Sequence, residues 1–435
     1  MIRVVITVAL FILSTIFSFS QKKWSLQECV DYALENNISL KRAKLSTDYS
    51  KEDITIAKAR LLPNVSASAS QNLDVNSLYK RVNPSNNFGI SASVDLYNGG
   101  RNKLLITQAE NSIALSKFDL ETLQSNISLQ IANNYLNALF NKENIKLAHE
   151  QIAITKLQLK KMQELIDAGV KPKADLLDIQ ATLSSNKEQL TTSENALDLS
   201  LLNLAQLIQV PSTNFDIQDV TINLDKAILL YANSKIIYKK AVEDRPEIKK
   251  AQLDIDNADL GIKIAKTDLL PSVSMSYGLN TSYRYNFSGD GTFDKIYNQY
   301  NDNHGHSIGV SARYTIFDGK SRKASIAKAK INKEIIEQGL VDEKLKLRET
   351  IERAYLDAKA SLKQYESSLS SLKAQEESFN ISQERYKLGA MNSFDFDLVK
   401  SKLFNSKIAV INAKYNFVFK SKVLDFYNGI PIVIE

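Results

Sequence analysis

Two carboxylates stand at matched places in this chain, and a third stands beside one of them. Asp175 follows Gly169 by six residues, Asp395 follows Gly389 by six, and Asp178 lies three residues beyond Asp175. Carboxylates there can attract a cation, or can favour the first turn of a helix through its dipole. His304-Gly305-His306 offers two imidazoles, fewer than a closed metal site needs, and a polar loop would carry the same residues. His149 stands alone within a helical pattern, which suits a helix surface. Cys29 is the only cysteine, so no internal disulfide can form. The bulky, acidic run Leu26-Gln27-Glu28 before it does not suit a lipid-modified cysteine, and Cys29 reads as a helix-face residue. No nucleophile–base pair, metal cluster or phosphate-cradling glycine loop is present. The chain reads as no enzyme, with no cofactor and no metal, and any energy it uses must come from a partner.

The elements that carry these residues occur twice. Leu61-Leu62-Pro63-Asn64-Val65-Ser66 returns 208 residues later as Leu269-Leu270-Pro271-Ser272-Val273-Ser274. Tyr97-Asn98-Gly99 returns 220 later as Phe317-Asp318-Gly319, and that offset holds through Gly169 and Gly389 to Val210-Pro211 and Ile430-Pro431. Repeats this long are duplicated structural units. The twelve extra residues fall between Pro271 and Phe317, which marks a tolerant loop. The expected divisions are 1–20, a first repeat over 21–220 and a second over 221–435.

Each repeat predicts a strand hairpin, over 64–98 and 272–317. Phe88, Ile90, Ala92, Val94 and Leu96 alternate with small or polar residues. Ile308, Val310, Ala312, Tyr314 and Ile316 do the same. One apolar and one polar face is the pattern of a membrane β-barrel strand. A half-buried hairpin packed on a core carries the same alternation. Tyr283, Tyr285, Phe287, Phe293, Tyr297 and Tyr300, near the longer loop, suit an interfacial girdle.

Residues 24–61 read as helical, with a straight stretch over 36–61 ended by Pro63. Helical hairpins are expected over 101–209 and 321–428, with turns at 168–174 and 388–394. Each long helix, 101–167 or 321–387, would reach roughly 100 Å and must lie in a coiled-coil-like bundle. The two shorter helices of a repeat, roughly 39 and 55 Å, sum to about that length. They can therefore stack end to end beside it. Four strands do not close a barrel, and eight leave an interior filled by side chains. Three chains would give twelve strands and room for a lumen, lined by Ser66, Ser68, Ser91, Ser93 and Ser311.

The 435 residues hold 14 glycines and 7 prolines, which favours long helices over compact α/β packing. The net charge of +6 is dispersed, so nucleic acid is not implied. Arg3 followed by an apolar run to Phe19 predicts a cleaved export signal over 1–20; a short membrane anchor is the alternative. A secreted coiled-coil structural or adhesion protein without a pore remains the rival to a channel.

The order of helix, Leu-Leu-Pro, strand hairpin, (Asn/Asp)-Gly, long helix, glycine tip and returning helix, twice over, resembles the TolC-like outer membrane efflux proteins. Ala33-Leu34-Glu35-Asn36-Asn37, Leu96-Tyr97-Asn98-Gly99-Gly100 and Arg385-Tyr386-Lys387-Leu388-Gly389 carry the local matches, and the likeness spans 24–435. It implies a mainly α fold with β: a long antiparallel α-helical barrel across the periplasm, plus a transmembrane β-barrel of 12 strands from a homotrimer, 4 per chain. It implies an exit duct of an efflux or type I secretion system in the outer membrane. Its partners would be a periplasmic adaptor (membrane fusion) protein, an inner-membrane transporter of RND or ABC type, and outer-membrane lipid. Phe88, Ile90, Val94, Leu96, Ile308, Val310, Tyr314 and Ile316 would face lipid. Asp175, Asp178 and Asp395 would line the periplasmic entrance. Gly169, Val170, Leu388, Gly389 and Ala390 would meet the adaptor. The chain departs from the family at Leu398, where a second ring aspartate is expected, and at Met391, where an arginine would lock the tip. Its gating contacts would differ accordingly.

Overall fold

A computed structural model describes residues 22–76, 81–220, 231–284 and 293–432. The expected export signal, Tyr285 and Phe287 lie outside them. The chain folds as two compact units, and each repeat contributes to both.

Among the described residues, the first unit comprises 22–42, 120–220, 231–245 and 344–432. It begins with β1 (Lys23–Trp24), which pairs in parallel with β4 (Asp216–Ile217). Ser25 then caps α1 (Leu26–Asn36) through a reciprocal box: its hydroxyl accepts from the Glu28 amide, and the Glu28 carboxylate accepts from the Ser25 amide. Leu26, Cys29 and Ala33 form the buried stripe of α1. Burial pushes the Cys29 thiol up to about 12, so it packs as an apolar group.

The helical stretch expected over 24–61 divides at Asn37, next to the expected start of its straight part at 36. At Asn37 the side-chain amide donates to the Leu207 carbonyl, while its oxygen accepts from the Ser39 amide and starts α2 (Ile38–Ala59). The second repeat breaks at Arg245, because Pro246 opens α6 (Pro246–Thr267) after α5 (Ser234–Asp244).

Long helices α3 (Arg101–Asp167) and α8 (Ser321–Lys387) contain 67 residues each. Returning helices are α4 (Lys173–Ile208) and α9 (Ser393–Tyr427). Buried Ile179, Asn186, Ser193 and Ser200 recur every seven residues along α4. That period keeps one seam toward a partner helix. The seam is polar but satisfied: Asn186 donates to Thr155, and Asn141 of α3 donates to Ser200. The apolar core gathers around fully buried Tyr135, with Leu26, Ile131, Leu204, Ile208, Ile217 and Val418.

The second unit, whose described residues are 43–76, 81–119, 246–284 and 293–343, holds one antiparallel sheet in the order β2-β3-β5-β6. Its strands are β2 (Asn64–Asn76), β3 (Arg81–Tyr97), β5 (Ser272–Arg284) and β6 (Gly305–Arg313). β3 and β5 join the two repeats, leaving β2 and β6 as edges. The longer loop contains α7 (Phe293–Asp302), which the sequence reading missed. No helix of the described residues is long and apolar enough to cross a membrane.

Candidate functional site

The sheet has two chemically distinct faces. Ser66 lies opposite Ser91, which lies opposite Gly278, which lies opposite Ser307. Ser68, Gly89, Ser93, Ser276, Gly309 and Ser311 share this face, because alternate residues of a strand point the same way. The Ser66 and Ser91 hydroxyls are 2.9 Å apart, as are those of Ser274 and Ser311. The face is small and polar enough to wet.

The other face carries Val65, Ala67, Phe88, Ile90, Val94, Met275, Tyr277, Leu279, Ile308 and Val310. Phe88, Ile90, Leu96, Ile308 and Val310 are exposed. A contiguous apolar face of this kind marks contact with lipid or another chain. Tyr314 and Ile316 lie beyond β6, which ends at Arg313, so the expected hairpin over 272–317 is short at its far end.

On this apolar face sits α7. The Tyr300 ring packs edge-on against Phe88 and beside Tyr283, while Thr281 donates to the Tyr300 carbonyl. Tyr297 points outward. His306 is not a loop residue: it pairs with Leu279 in β6, and its Nδ1 lies 2.8 Å from the Tyr277 hydroxyl. His304 meets the Asn301 carbonyl and is exposed. Among the described residues no three metal-capable side chains cluster.

In the first unit the helical turns have matching geometry. Gly169 (φ +71°) and Gly389 (φ +72°) take the left-handed conformation that ends a helix. The Val170 amide donates to the Leu165 carbonyl, and the Ala390 amide to that of Arg385, which ties the last carbonyls of α3 and α8. Val170 and Leu388 are then left 65% and 83% exposed. Between the turns lies a cavity of 710 Å³, walled by Leu157, Leu165, Val170, Tyr386, Met391 and Phe396 among others. That size suits a small ligand. Tyr386 and Phe396 stack in parallel at 4.6 Å.

The three carboxylates occupy the starts of the returning helices. Asp395 is exposed; its carboxylate accepts from the Asn392 side-chain amide, and its backbone amide donates to the Asn392 side-chain oxygen. This is capping geometry. Asp175 has no such cap; Pro172 precedes its helix, and Lys171 approaches at 3.9 Å. Asp178 is exposed one turn further in.

Sequence reasoning missed the ionic group beneath them. Lys400 is 1% exposed, and its ammonium donates to Asp397 and to Gln158 of α3, each at 2.6 Å. A lysine flanked by Val399 and buried residues three and four positions away was the available signal.

The outer membrane efflux protein family matches residues 29–209 and 237–427. The outer membrane protein TolC of Vibrio cholerae is 22% identical over 312 residues, covering 71% of this chain and 69% of that protein. Crystal structures of CusC superpose with a TM-score of 0.78 at 16% identity, covering 93% and 92% of the two chains. The Campylobacter jejuni CmeC outer membrane channel gives 0.76 at 19%, covering 93% and 86%.

Proposed function

Because the chain belongs to the outer membrane efflux protein family, we propose that three copies form a channel through the outer membrane. The observation that carries this reading is the two-faced, four-stranded sheet with both edges open. Three such sheets supply twelve strands, enough for an aqueous lumen where eight would be plugged. The serine face lines the lumen. Phe88, Ile90, Val94, Leu96, Ile308 and Val310 face lipid, with Tyr314 and Ile316 beside them.

The helices continue the duct into the periplasm. A periplasmic adaptor meets the turns at Gly169, Val170, Leu388, Gly389 and Ala390, where apolar side chains stand in water. Asp175, Asp178 and Asp395 line the entrance, and threefold repetition would make each a ring that attracts cations. An inner-membrane transporter of RND or ABC type supplies the energy, and the chain conducts passively without catalysis.

Single-channel recording of the purified protein in a planar bilayer tests the reading. Discrete conductance steps are expected. A detergent-free soluble protein without conductance would instead support a secreted scaffold.

A further inference from the structure

Two of the chain's three histidines stand two residues apart, and the proposed duct gives neither a role. His304 immediately precedes β6, and His306 is the second residue of that strand. Their rings lie 6.0 Å apart between centroids, at 89° to each other. Both side chains are exposed. A ring nitrogen binds zinc at about 2.0–2.1 Å, so two imidazoles on one ion have centroids at most about 6.4 Å apart. The observed separation falls inside that reach with the backbone where it stands.

The other ring nitrogens are held as a metal site requires. His304 Nδ1 meets the Asn301 carbonyl, which can only accept. Nδ1 therefore carries the hydrogen, and Nε2 keeps its lone pair. His306 Nδ1 lies 2.8 Å from the Tyr277 hydroxyl, an oxygen that also accepts a ring N–H. An oxygen partner on the nitrogen that does not touch the ion is the usual support of a metal-binding histidine. Asn301 belongs to the last turn of α7, and the C-terminal end of a helix favours positive charge.

The hairpin forms without these groups. The 220 offset puts Pro84 and Asn86 where the second repeat has His304 and His306, and the 208 offset puts Ala69 where it has Tyr277. Gln71 nevertheless pairs with Asn86 in β2 and β3, as Leu279 pairs with His306 in β5 and β6. Strand pairing therefore does not account for the imidazoles.

We infer that His304 and His306 chelate one divalent late transition-metal ion through their Nε2 atoms, with water completing the coordination. Copper(II) binds most tightly, with nickel and zinc weaker, as is general for imidazole ligands. Calcium and magnesium, which take oxygen ligands, are not held. Both ligands come from one short stretch of one chain, so the site does not depend on the channel reading. In the proposed channel it faces the exterior, because β6 leads toward α8 from its other end.

Copper(II) is titrated into the full chain, purified in detergent without a histidine tag. Calorimetry gives the affinity, and electron paramagnetic resonance identifies the ligands. One copper per chain with two imidazole nitrogens is expected, and calcium should not compete. H304Q and H306Q should each weaken binding at least about tenfold, since even the outer partners of metal-binding histidines cost that much. H149Q, at an exposed position of α3, should bind copper as the parent does. Circular dichroism checks that these exposed substitutions leave the fold intact. The site is overturned by the absence of saturable copper binding, by a spectrum with a single imidazole nitrogen, or by unchanged affinity in H304Q or H306Q. Conductance recorded on the same protein judges the channel reading separately.

Discussion

The Tyr135 hydroxyl lies 3.2 Å from the Trp24 carbonyl, pinning the entry strand β1 to the middle of α3. The same hydroxyl is 3.2 Å from the Gln218 carbonyl beside β4. The contact recurs in the second repeat, where Tyr355 donates to the Ala232 carbonyl at 3.0 Å. Tyr135 is fully buried and Tyr355 is not. The two contacts therefore share a geometry and differ in energy, since an unsatisfied group costs more where water cannot reach it.

Tyr135→Phe is accordingly expected to cost about 1–2 kcal/mol, and more than Tyr355→Phe. Thermal unfolding followed by circular dichroism in detergent compares the two. Equal melting shifts would show that burial at Tyr135 adds nothing.

Around this contact Asp216 and Asp219 meet Lys23 and Lys142. Burial pushes the Asp219 carboxyl up, but Lys142, Lys23 and Lys146 together hold it below the usual range. A carboxyl lowered in the folded state adds stability above its unfolded value, near pH 4, and loses it as pH falls through the folded value. Asp219→Asn should lower the melting temperature at pH 7, and the gap should close below about pH 4. A gap unchanged down to pH 3 would assign the effect to packing instead of charge.

At the turns, Asp397 and Asp395 lie two residues apart with different duties. Asp397→Ala leaves the Lys400 ammonium buried without its carboxylate, a loss of about 3 kcal/mol in comparable pairs. Asp395→Ala leaves the Asn392 cap on its backbone amide and removes only an exposed first-turn carboxylate that accepts from the Asn392 side chain, typically about 0.5 kcal/mol. Hydrogen exchange of the α9 start should rise more for Asp397→Ala. The reverse order would mean that water already solvates Lys400.

In the proposed channel, Asp175→Asn combined with Asp395→Asn should reduce cation preference in bilayer recordings, because neutral amides would remove the field of both proposed rings. Unchanged reversal potentials would leave both aspartates as helix-start residues. Asp178→Asn, measured alone, separates the deeper position from the other two.

Gly169→Ala and Gly389→Ala test the turns themselves. Nothing lies within 4 Å of either added Cβ, so any cost comes from the positive φ, about 1 kcal/mol each. Similar melting losses from both are expected; a neutral result at either would show that the turn can relax to another conformation.

Sequence alone determined the duplication, the ends of α3 and α8, the glycine turns and the alternation of β3 and β6. These depend on properties carried within a few residues: proline's missing amide, glycine's positive φ, and the periods of helix and strand. It did not reveal the contact that holds the break at Asn37, whose partner Leu207 lies 170 residues away. Nor did it reveal the burial of Lys400, which depends on Gln158, 242 residues distant. The placement of α7 on the apolar sheet face through Tyr300 and Phe88, and of His306 within β6, was equally hidden. Each is fixed by a partner brought close only when the chain folds, where burial strengthens a contact that the local sequence does not contain.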